Sequence, residues 1–288
     1  MTELRARMIR TMQLHRLADK TQQVYLWHVT KLAQFYNQPP DRLTAEQIQA
    51  FVHHLLTERQ LAWSTCNQAM AAFAFLYKKA LNWSDLRLQL PPRKRKKMLP
   101  RIWDREALEH LFTATRPLKY RTMLMTAYAG GLRVSEVVNL QTRDLDSARM
   151  RIRVRQGKGC KDRETLLSAR LLHELRDYWR MYRLNTPGDW LFCGRNPQRP
   201  LGTSSVQKAY NQACQRIGHD NLEGTHSLRH SFCTHLLEAG VDVRLIQWLM
   251  GHGSLITTSG YLQLTHQRTQ GVVSPLDLLP DPNRRQVD

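Results

Sequence analysis

The sequence is poor in the features on which secreted and membrane proteins depend. Its five cysteines are an odd number among 288 residues and no CxxC pair occurs, which argues against both a disulfide framework and a cysteine zinc site. The first ten residues, MTELRARMIR, lack the apolar segment of a secretory signal. No apolar run approaches the roughly 20 residues that span a bilayer. We therefore expect a protein of the reducing cytoplasm with no membrane partner.

Acidic residues are scarce relative to basic ones. Asp and Glu number 24 against 43 Lys and Arg, so the formal net charge is +19. Such a balance is typical of proteins that bind nucleic acid. A basic protein that is merely soluble and a protein that binds anionic membranes are the alternatives on charge alone.

Hydrophobic periodicity predicts two mainly helical domains joined by a basic linker. Residues 1–90 read as a helical domain, in which Thr44 and Gln47 have capping-box spacing ahead of an apolar helix face. Residues 91–101 combine prolines with the run Arg93, Lys94, Arg95, Lys96 and Lys97, which indicates an extended segment. The run is either a solvated stretch of charge or a strap across a phosphate backbone, and its position between two basic domains favours the strap.

The second predicted domain, residues 102–288, is mostly helical with a small antiparallel sheet. RMRIRVR (149–155) alternates cationic and apolar residues at strand period, and RETLL (163–167) can return as its partner strand. Leu172, Leu175, Trp179 and Tyr182 predict the buried stripe of a helix that follows. The fold class expected for the chain is therefore mainly α, with a minor β component.

The segment THSLRHSFCTHLLEAG gathers cations at the start of a helix whose apolar face belongs to a core. Thr225 is the expected N-cap and Gly240 the expected terminator, while His226, Arg229 and His230 share one turn. A metal, a phosphate or plain surface chemistry could explain the cluster. A zinc hydrolase helix, HExxH, would need Glu where Ser227 stands, and Arg229 would place a cation against the metal.

Four further fragments contain candidate functional residues, each with an ordinary alternative account. Arg133 in GGLRVSE follows a glycine break at a helix start, where it could meet an anion or be a surface arginine. Lys158 in GKG is either a reaching side chain or a solvated turn. His252 in LMGHGS is an adequate helix C-cap residue, and Tyr261 in TTSGYL reads alone as a half-buried aromatic.

Taken in order, these fragments resemble the tyrosine recombinase (phage integrase) family, including its Xer-like, integron and transposon-associated members. The matching text is AGGLRVSEVVNL, VRQGKGCKDR, HSLRHSFCTHLLEAGVDVRLIQWLMGH and TTSGYL. The resemblance covers essentially the whole chain. It implies a helical, SAM-like core-binding domain followed by a catalytic domain with a small antiparallel sheet.

The resemblance also implies a role for each motif residue. Arg133 and Arg229 would bind the non-bridging oxygens of the scissile phosphate, Lys158 would protonate the leaving 5′ oxygen, His226 would assist proton transfer, His252 would orient the phosphate, and Tyr261 would be the nucleophile. His230 would only pack behind them. The family needs no ATP, metal or other cofactor, which agrees with the lack of a P-loop and of a carboxylate cluster in the sequence.

The partners implied are duplex DNA with a specific recombination site and further copies of the chain. The family works as four protomers on two DNA sites, so we expect a monomer when free, with accessory proteins as possible partners and a place at the nucleoid. An inactive DNA-binding accessory or regulatory protein of the same fold is the main alternative, and a type IB topoisomerase is a third.

The sequence departs from the family pattern at three places. Leu166 stands where a proline is common, which bears only on strand geometry, and Gly260 precedes the tyrosine where a larger residue is usual. The tail GVVSPLDLLP resembles that of integron integrases. The insertion that those proteins carry between the lysine and HxLRH motifs has no clear equivalent here, so a transposon-, phage- or chromosome-associated member is at least as well supported.

Overall fold

The chain divides into two compact units, residues 1–97 and 98–288. The structure, a computed structural model, describes residues 2–83, 87–92, 101–155, 162–184, 187–194, 196–219 and 224–251. The linker cations predicted at 93–97 lie outside these ranges. Within them, no helix is long and apolar enough to cross a membrane.

The described part of the first unit is helical, as predicted. Its elements are α1 (Glu3–Leu14), α2 (Asp19–Tyr36), a 3₁₀ turn (Pro40–Arg42), α3 (Ala45–Thr57), and α4 (Trp63–Ala74), which continues into a π-helical segment (Phe75–Ala80). The capping box is confirmed: the Thr44 hydroxyl accepts from the Gln47 N–H, and the Gln47 side chain accepts from the Thr44 N–H. Ile48, Phe51 and Val52 then face the core that α2 and α4 complete.

The second unit is mostly helical around one small sheet. Its described elements are α5 (Arg105–Ala114), α6 (Leu118–Ala129), α7 (Val134–Val138), a 3₁₀ turn (Thr142–Asp144), β1 (Leu145–Asp146), β2 (Arg151–Val154), β3 (Arg163–Leu166), α8 (Ala169–Tyr182), α9 (Thr203–Arg216), α10 (His226–Glu238) and α11 (Val243–Met250). A main core cluster gathers around α6, and a smaller one joins α10 to α11. Mainly α with a minor β component is therefore the observed class.

The predicted β-hairpin is confirmed and gains one strand. β2 pairs with β3 in antiparallel register, Val154 opposite Arg163 at the loop end, and β1 pairs with the other edge of β2. The two-residue β1 was too short to predict. This arrangement fixes the two ends of the 155–162 connection, in which Lys158 lies, at one point of the sheet.

The buried stripe predicted for α8, Leu172, Leu175, Trp179 and Tyr182, is confirmed only in part. The core face consists of Leu171, Leu175 and Tyr178, whereas Tyr182 is exposed and Leu172 only partly buried. The Tyr178 hydroxyl donates to the Leu191 carbonyl at 3.0 Å, which satisfies its polar end inside the core. The predicted and observed faces thus share Leu175, and Leu171 and Tyr178 complete the observed one.

Candidate active site

Helix α10 carries the cationic turn and is buried on more than one side. Leu228 and Phe232 lie in apolar clusters, while Ser227 and Ser231 accept hydrogen bonds from Trp103, the first through the indole Nε1 and the second through the backbone N–H, both at 2.9 Å. Apolar packing and these polar anchors fix the rotation of the helix about its axis. That rotation decides which atoms of its first turn face outward.

The ends of α10 agree only in part with the sequence reading. Gly240 follows the last turn with φ +77°, as expected of a terminator. Thr225 precedes the helix but does not cap it through its side chain, and its hydroxyl instead donates to Gln207 Oε1 at 3.1 Å. The predicted N-cap forms no side-chain hydrogen bond because Thr225 has helical backbone angles, φ −59° and ψ −14°, instead of the extended ones that turn an N-cap oxygen towards the first N–H groups of the helix.

Arg229 is a buried arginine, only 1% exposed. Its Nη1 donates to the Gly131 carbonyl at 2.5 Å, and its Nη2 donates to the Met250 carbonyl. The guanidinium thus joins the turn after α6 to the last turn of α11. Arg133 follows the first of these segments in the chain, and His252 follows the second.

The glycine pair before Arg133 has a steric reason. Gly131 has φ +60°, and a Cβ built on it would lie 2.4 Å from Cδ1 of Phe232. An L side chain would therefore meet both backbone strain and a hard clash with α10. This close approach brings the Gly131 carbonyl within reach of Arg229.

Arg133 stands at the N-cap of α7, and 26% of its side chain is exposed. Its Nη1 donates to Oε1 of Glu136 at 2.8 Å, and its backbone N–H donates to Oε2 of the same residue at 2.9 Å. The sequence suggested that Arg133 could meet an anion at this helix start. In the structure, Glu136 already accepts the N–H, which leaves the guanidinium as the group that can reach a ligand.

Glu136 and Arg163 belong to the site and were missed by sequence reasoning. Arg163 donates from Nη1 and Nη2 to the two carboxylate oxygens of Glu136, at 2.9 and 2.8 Å, and the side chains are 7% and 8% exposed. Glu136 is also 3.7 Å from Nη1 of Arg229. A charged side chain in the buried-face register of a short strand was the available signal, since such positions are normally apolar.

The pKa of Glu136 reflects these neighbours. Burial raises the pKa of this carboxyl, but the hydrogen bonds and charge of Arg163, the N–H of Arg133 and the charge of Arg229 outweigh burial and lower the pKa to about 2. The carboxylate is therefore ionised at neutral pH. It lies within ion-pair distance of both motif arginines, Arg133 at the start of α7 and Arg229 on α10.

The two histidines of the turn have different surroundings. His226 is exposed, whereas His230 is partly buried, and their rings meet edge to face with centroids 4.5 Å apart. Burial, with the nearby charges of His226 and Arg229, lowers the pKa of His230 to about 4. His230 is thus neutral at pH 7, and His226 is the one that faces solvent.

The remaining candidates lie outside the described residues. They are Lys158, in the β2–β3 connection, His252, which directly follows the described Gly251, and Tyr261. What the structure describes are their attachment points: Val154 and Arg163 at the base of the hairpin, and Met250 and Gly251 at the end of α11. Arg163 and Arg229 both donate to carbonyls in the last turn of α11, those of Leu249 and Met250 respectively.

Two protein-family models match the chain. The phage integrase family matches residues 103–268, and the N-terminal SAM-like domain of phage integrases matches residues 4–85. The putative integrase/recombinase y4qK of Sinorhizobium fredii (strain NBRC 101917 / NGR234) is 41% identical over 284 residues, which cover 98% of this chain and 91% of that protein. Tyrosine recombinase XerA of Pyrococcus horikoshii is 34% identical over 184 residues, 64% of either chain.

Solved structures share the architecture. The crystal structure of XerA recombinase has a TM-score of 0.54 at 27% identity, covering 92% of this chain and 94% of that one. The Tn1549 transposon integrase in complex with circular intermediate DNA has a TM-score of 0.70 over 90% of this chain and 94% of that one, at 15% identity, and bears on the fold alone. Similarity along nearly the whole chain and both family models lead to one conclusion: the protein belongs to the phage integrase family of tyrosine recombinases, a class of site-specific DNA-recombining enzymes.

Proposed function

We propose that this protein is an active site-specific recombinase that cuts and rejoins duplex DNA through a 3′-phosphotyrosyl intermediate. The observation that carries the proposal is the charge of the cluster around Glu136. Among the residues that the structure describes, the guanidinium groups of Arg133, Arg163 and Arg229 surround the carboxylate of Glu136, and these four side chains together carry a charge of +2. A buried or half-buried cluster with such an excess is suited to an anion.

A phosphodiester is the anion that the cluster suits. Forked N–H groups of arginine match the geometry of two phosphate oxygens, which the point charge of lysine does not. Negative charge grows on those oxygens when a nucleophile adds to phosphorus, and fixed cations stabilise that transition state. Arg133 is the more accessible of the two motif arginines, and Arg229 would bind phosphate from a buried position.

The reaction that we propose balances without metal or ATP. The Tyr261 oxygen attacks phosphorus and loses its proton, with His226 assisting the transfer, since a phenol with a pKa near 10 needs help at neutral pH. The bond from phosphorus to the 5′ oxygen breaks, and Lys158 gives that oxygen a proton. His252 orients the phosphate. One phosphoester bond replaces another, so the 5′ hydroxyl of a second DNA end can reverse the attack and release the tyrosine.

Strand exchange defines the partners in this proposal. Two duplexes, each cut on both strands, need four nucleophiles, so four protomers act on two sites, each binding DNA through both units and the 93–97 cations. Free protein is monomeric, accessory proteins can assist, and the site of action is the nucleoid in the cytoplasm. Membership of the tyrosine recombinase family, a class of site-specific DNA-recombining enzymes, supports the DNA substrate.

The alternative is a DNA-binding regulator of the same fold that forms no covalent bond, and covalent capture separates the two. The full chain is incubated with a library of nicked duplexes with randomised sequence, in EDTA, and protein–DNA species that resist denaturant are isolated. A recombinase yields adducts enriched in one sequence, whereas a regulator yields duplexes enriched by filter binding and no denaturant-resistant adduct. The second result, or capture only with Mg²⁺, contradicts the proposal.

A further inference from the structure

We propose that Arg163 is a positioning residue of the recombination site. In this role it fixes the relative positions of three described segments: α7, which Arg133 precedes, the base of the hairpin whose connection includes Lys158, and the end of α11, which precedes His252 in the chain. The inference rests on the function proposed above. It adds a residue that lies outside the catalytic set and acts through Glu136 and through the main chain of α11.

The contacts of Arg163 run in two directions from one guanidinium. Nη1 and Nη2 bind the two oxygens of Glu136, the residue that also holds the side chain and the N–H of Arg133, while Nε donates to the Leu249 carbonyl at 2.9 Å. One planar group therefore sets the distance between α7 and the last turn of α11. Movement of either element would break at least one of these bonds.

The position of Arg163 on the sheet adds the third segment. It is the first residue of β3 and stands opposite Val154, so it closes the hairpin whose connection contains Lys158. Two residues further along, the Thr165 hydroxyl donates to the Gly130 carbonyl at 2.8 Å. The inward face of β3 is thus polar and bonded to both ends of the α6–α7 turn region, where an ordinary strand would present apolar side chains.

Gly251 gives an independent indication that the approach of Arg163 is built into the fold. Gly251 has φ +61°, and a Cβ on it would lie 2.7 Å from Cδ and 3.1 Å from Nε of Arg163. The residue immediately before His252 therefore leaves space for this arginine. A side chain there would displace the guanidinium from the Leu249 carbonyl.

The chemistry of arginine explains the residue type. Lysine offers one point charge and cannot bind a carboxylate in forked geometry while donating sideways to a carbonyl. Stability alone is a poor explanation, because buried ion pairs are often replaceable by apolar residues without loss. Such a pair can instead act by fixing the positions of the groups around a phosphate, since a shift of about 1 Å in a reacting group can slow a reaction about 10²-fold.

The first test compares Arg163→Lys with a matched control. Arg170 binds both oxygens of Glu109 in the same unit, and both side chains are largely exposed, so Arg170→Lys changes the same kind of pair away from the site. The probe is a nicked duplex obtained by covalent capture on the unmodified protein. We expect Arg163→Lys to cleave about 10²-fold more slowly in single turnover with duplex Kd within about threefold, and Arg170→Lys to cleave at the unmodified rate.

Two further readouts separate positioning from loss of structure. Glu136→Gln and Arg163→Gln are combined, because a residue that acts through Glu136 adds little to a variant already lacking that carboxylate. Arg163→Gln also removes the main group that lowers the pKa of Glu136, leaving Arg133 and Arg229 facing it. The pKa of Glu136 should therefore be higher in Arg163→Gln than in the unmodified protein, and cleavage by this variant should slow as the pH is lowered through that pKa. Glu136→Gln has no carboxyl group at this position and should show no such fall. Additive losses without a new pH dependence overturn the proposal.

Glycine variants keep the proposal testable where Arg163 variants fold poorly. Gly251→Ala forces Arg163 away. Gly240 has a comparable φ of +77°, and a methyl group on it would meet no atom within 4 Å, so Gly240→Ala supplies strain without contact. Slow cleavage by Gly251→Ala alone supports the positioning role, and equal rates for the two overturn it. An unmodified protein that forms no adduct at all contradicts the proposed function, a result distinct from normal cleavage by Arg163→Lys.

Discussion

Arg229 donates from Nη1 to the carbonyl of Gly131, 98 residues away in sequence, inside the second unit. Its Nη2 reaches the Met250 carbonyl. One buried guanidinium therefore has a structural task, joining three elements, in addition to the phosphate contact that we propose. Arg133 differs, because its side chain is partly exposed and its described ion pair is with Glu136, three residues along.

This difference predicts that replacing the two arginines changes the free energy of unfolding by different amounts. Arg229→Ala leaves the buried carbonyls of Gly131 and Met250 without their donor and should lower the free energy of unfolding by about 2–4 kcal/mol. Arg133→Ala removes a partly exposed pair and should lower it by under about 1 kcal/mol. Urea unfolding of the full chain measures both. Equal destabilisation would contradict the structural task of Arg229.

Both variants should lose cleavage if both side chains bind phosphate. Removing one fixed cation from a phosphoryl-transfer site slows the reaction by roughly 10² or more. Single-turnover rates are measured below the temperature at which Arg229→Ala begins to unfold. A folded Arg133→Ala protein that cleaves at the unmodified rate would remove Arg133 from the site.

His230 predicts a pH dependence of stability. Its pKa is lowered to about 4 in the folded chain, below the value of about 6.5 in an unfolded chain. Between these values the unfolded state binds a proton that the folded state does not, so stability falls as pH is lowered from about 6.5 towards 4. His230→Gln removes this contribution. The loss of stability between neutral and acid pH should be smaller in the variant, and an unchanged loss would contradict the assignment.

The linker predicts a salt effect on DNA binding. Replacing the five residues 93–97 by alanine should flatten the slope of log affinity against log salt by about 0.9 for each phosphate that the segment neutralises. The control changes Arg93 and Arg95 to lysine, which keeps every charge and should keep the slope. An alanine variant with the unmodified slope would mean that this segment does not bind DNA.

The same segment predicts where free protein is cut. Proline and like charge disfavour packing between Pro91 and Arg101, so limited trypsin digestion should cleave there first and release two stable fragments. Mass spectrometry of early digests identifies the bonds cut. Protection of this segment, with first cuts inside either unit, would contradict the two-domain organisation.

Features that depend on neighbouring residues could be predicted from the sequence, whereas features that depend on tertiary contacts could not. The Thr44 capping box and the alternation of β2 are local, and both were predicted. Arg163 could not be predicted as a partner of Glu136, because a tertiary contact brings it there against the usual polarity of its strand face. The stripe of α8 was right at Leu175 and wrong at Tyr182 for a similar reason, since tertiary packing decides which edge of a helix is covered.

The catalytic set had a different origin. The roles of Arg133, His226 and Arg229 came from the resemblance to a family. The structure brings the two arginines to the carboxylate of Glu136, which lies within the motif AGGLRVSEVVNL but had been given no role. Composition and spacing alone had left metal, phosphate and surface explanations open for the cationic turn. The excess of positive charge around Glu136 is the physical feature that favours phosphate.

The measurement that tests the central claim most directly is the identity of the residue joined to DNA. Adducts trapped on the captured nicked duplex in EDTA are digested and sequenced by mass spectrometry, for the unmodified chain and for Tyr261→Phe. The variant lacks one oxygen and keeps every cation, so its duplex affinity should change by less than about 1 kcal/mol. We expect the unmodified chain to carry a 3′-phosphate on Tyr261 and the variant to form no adduct. A phosphate on another residue, or undiminished cleavage by Tyr261→Phe, would contradict the account.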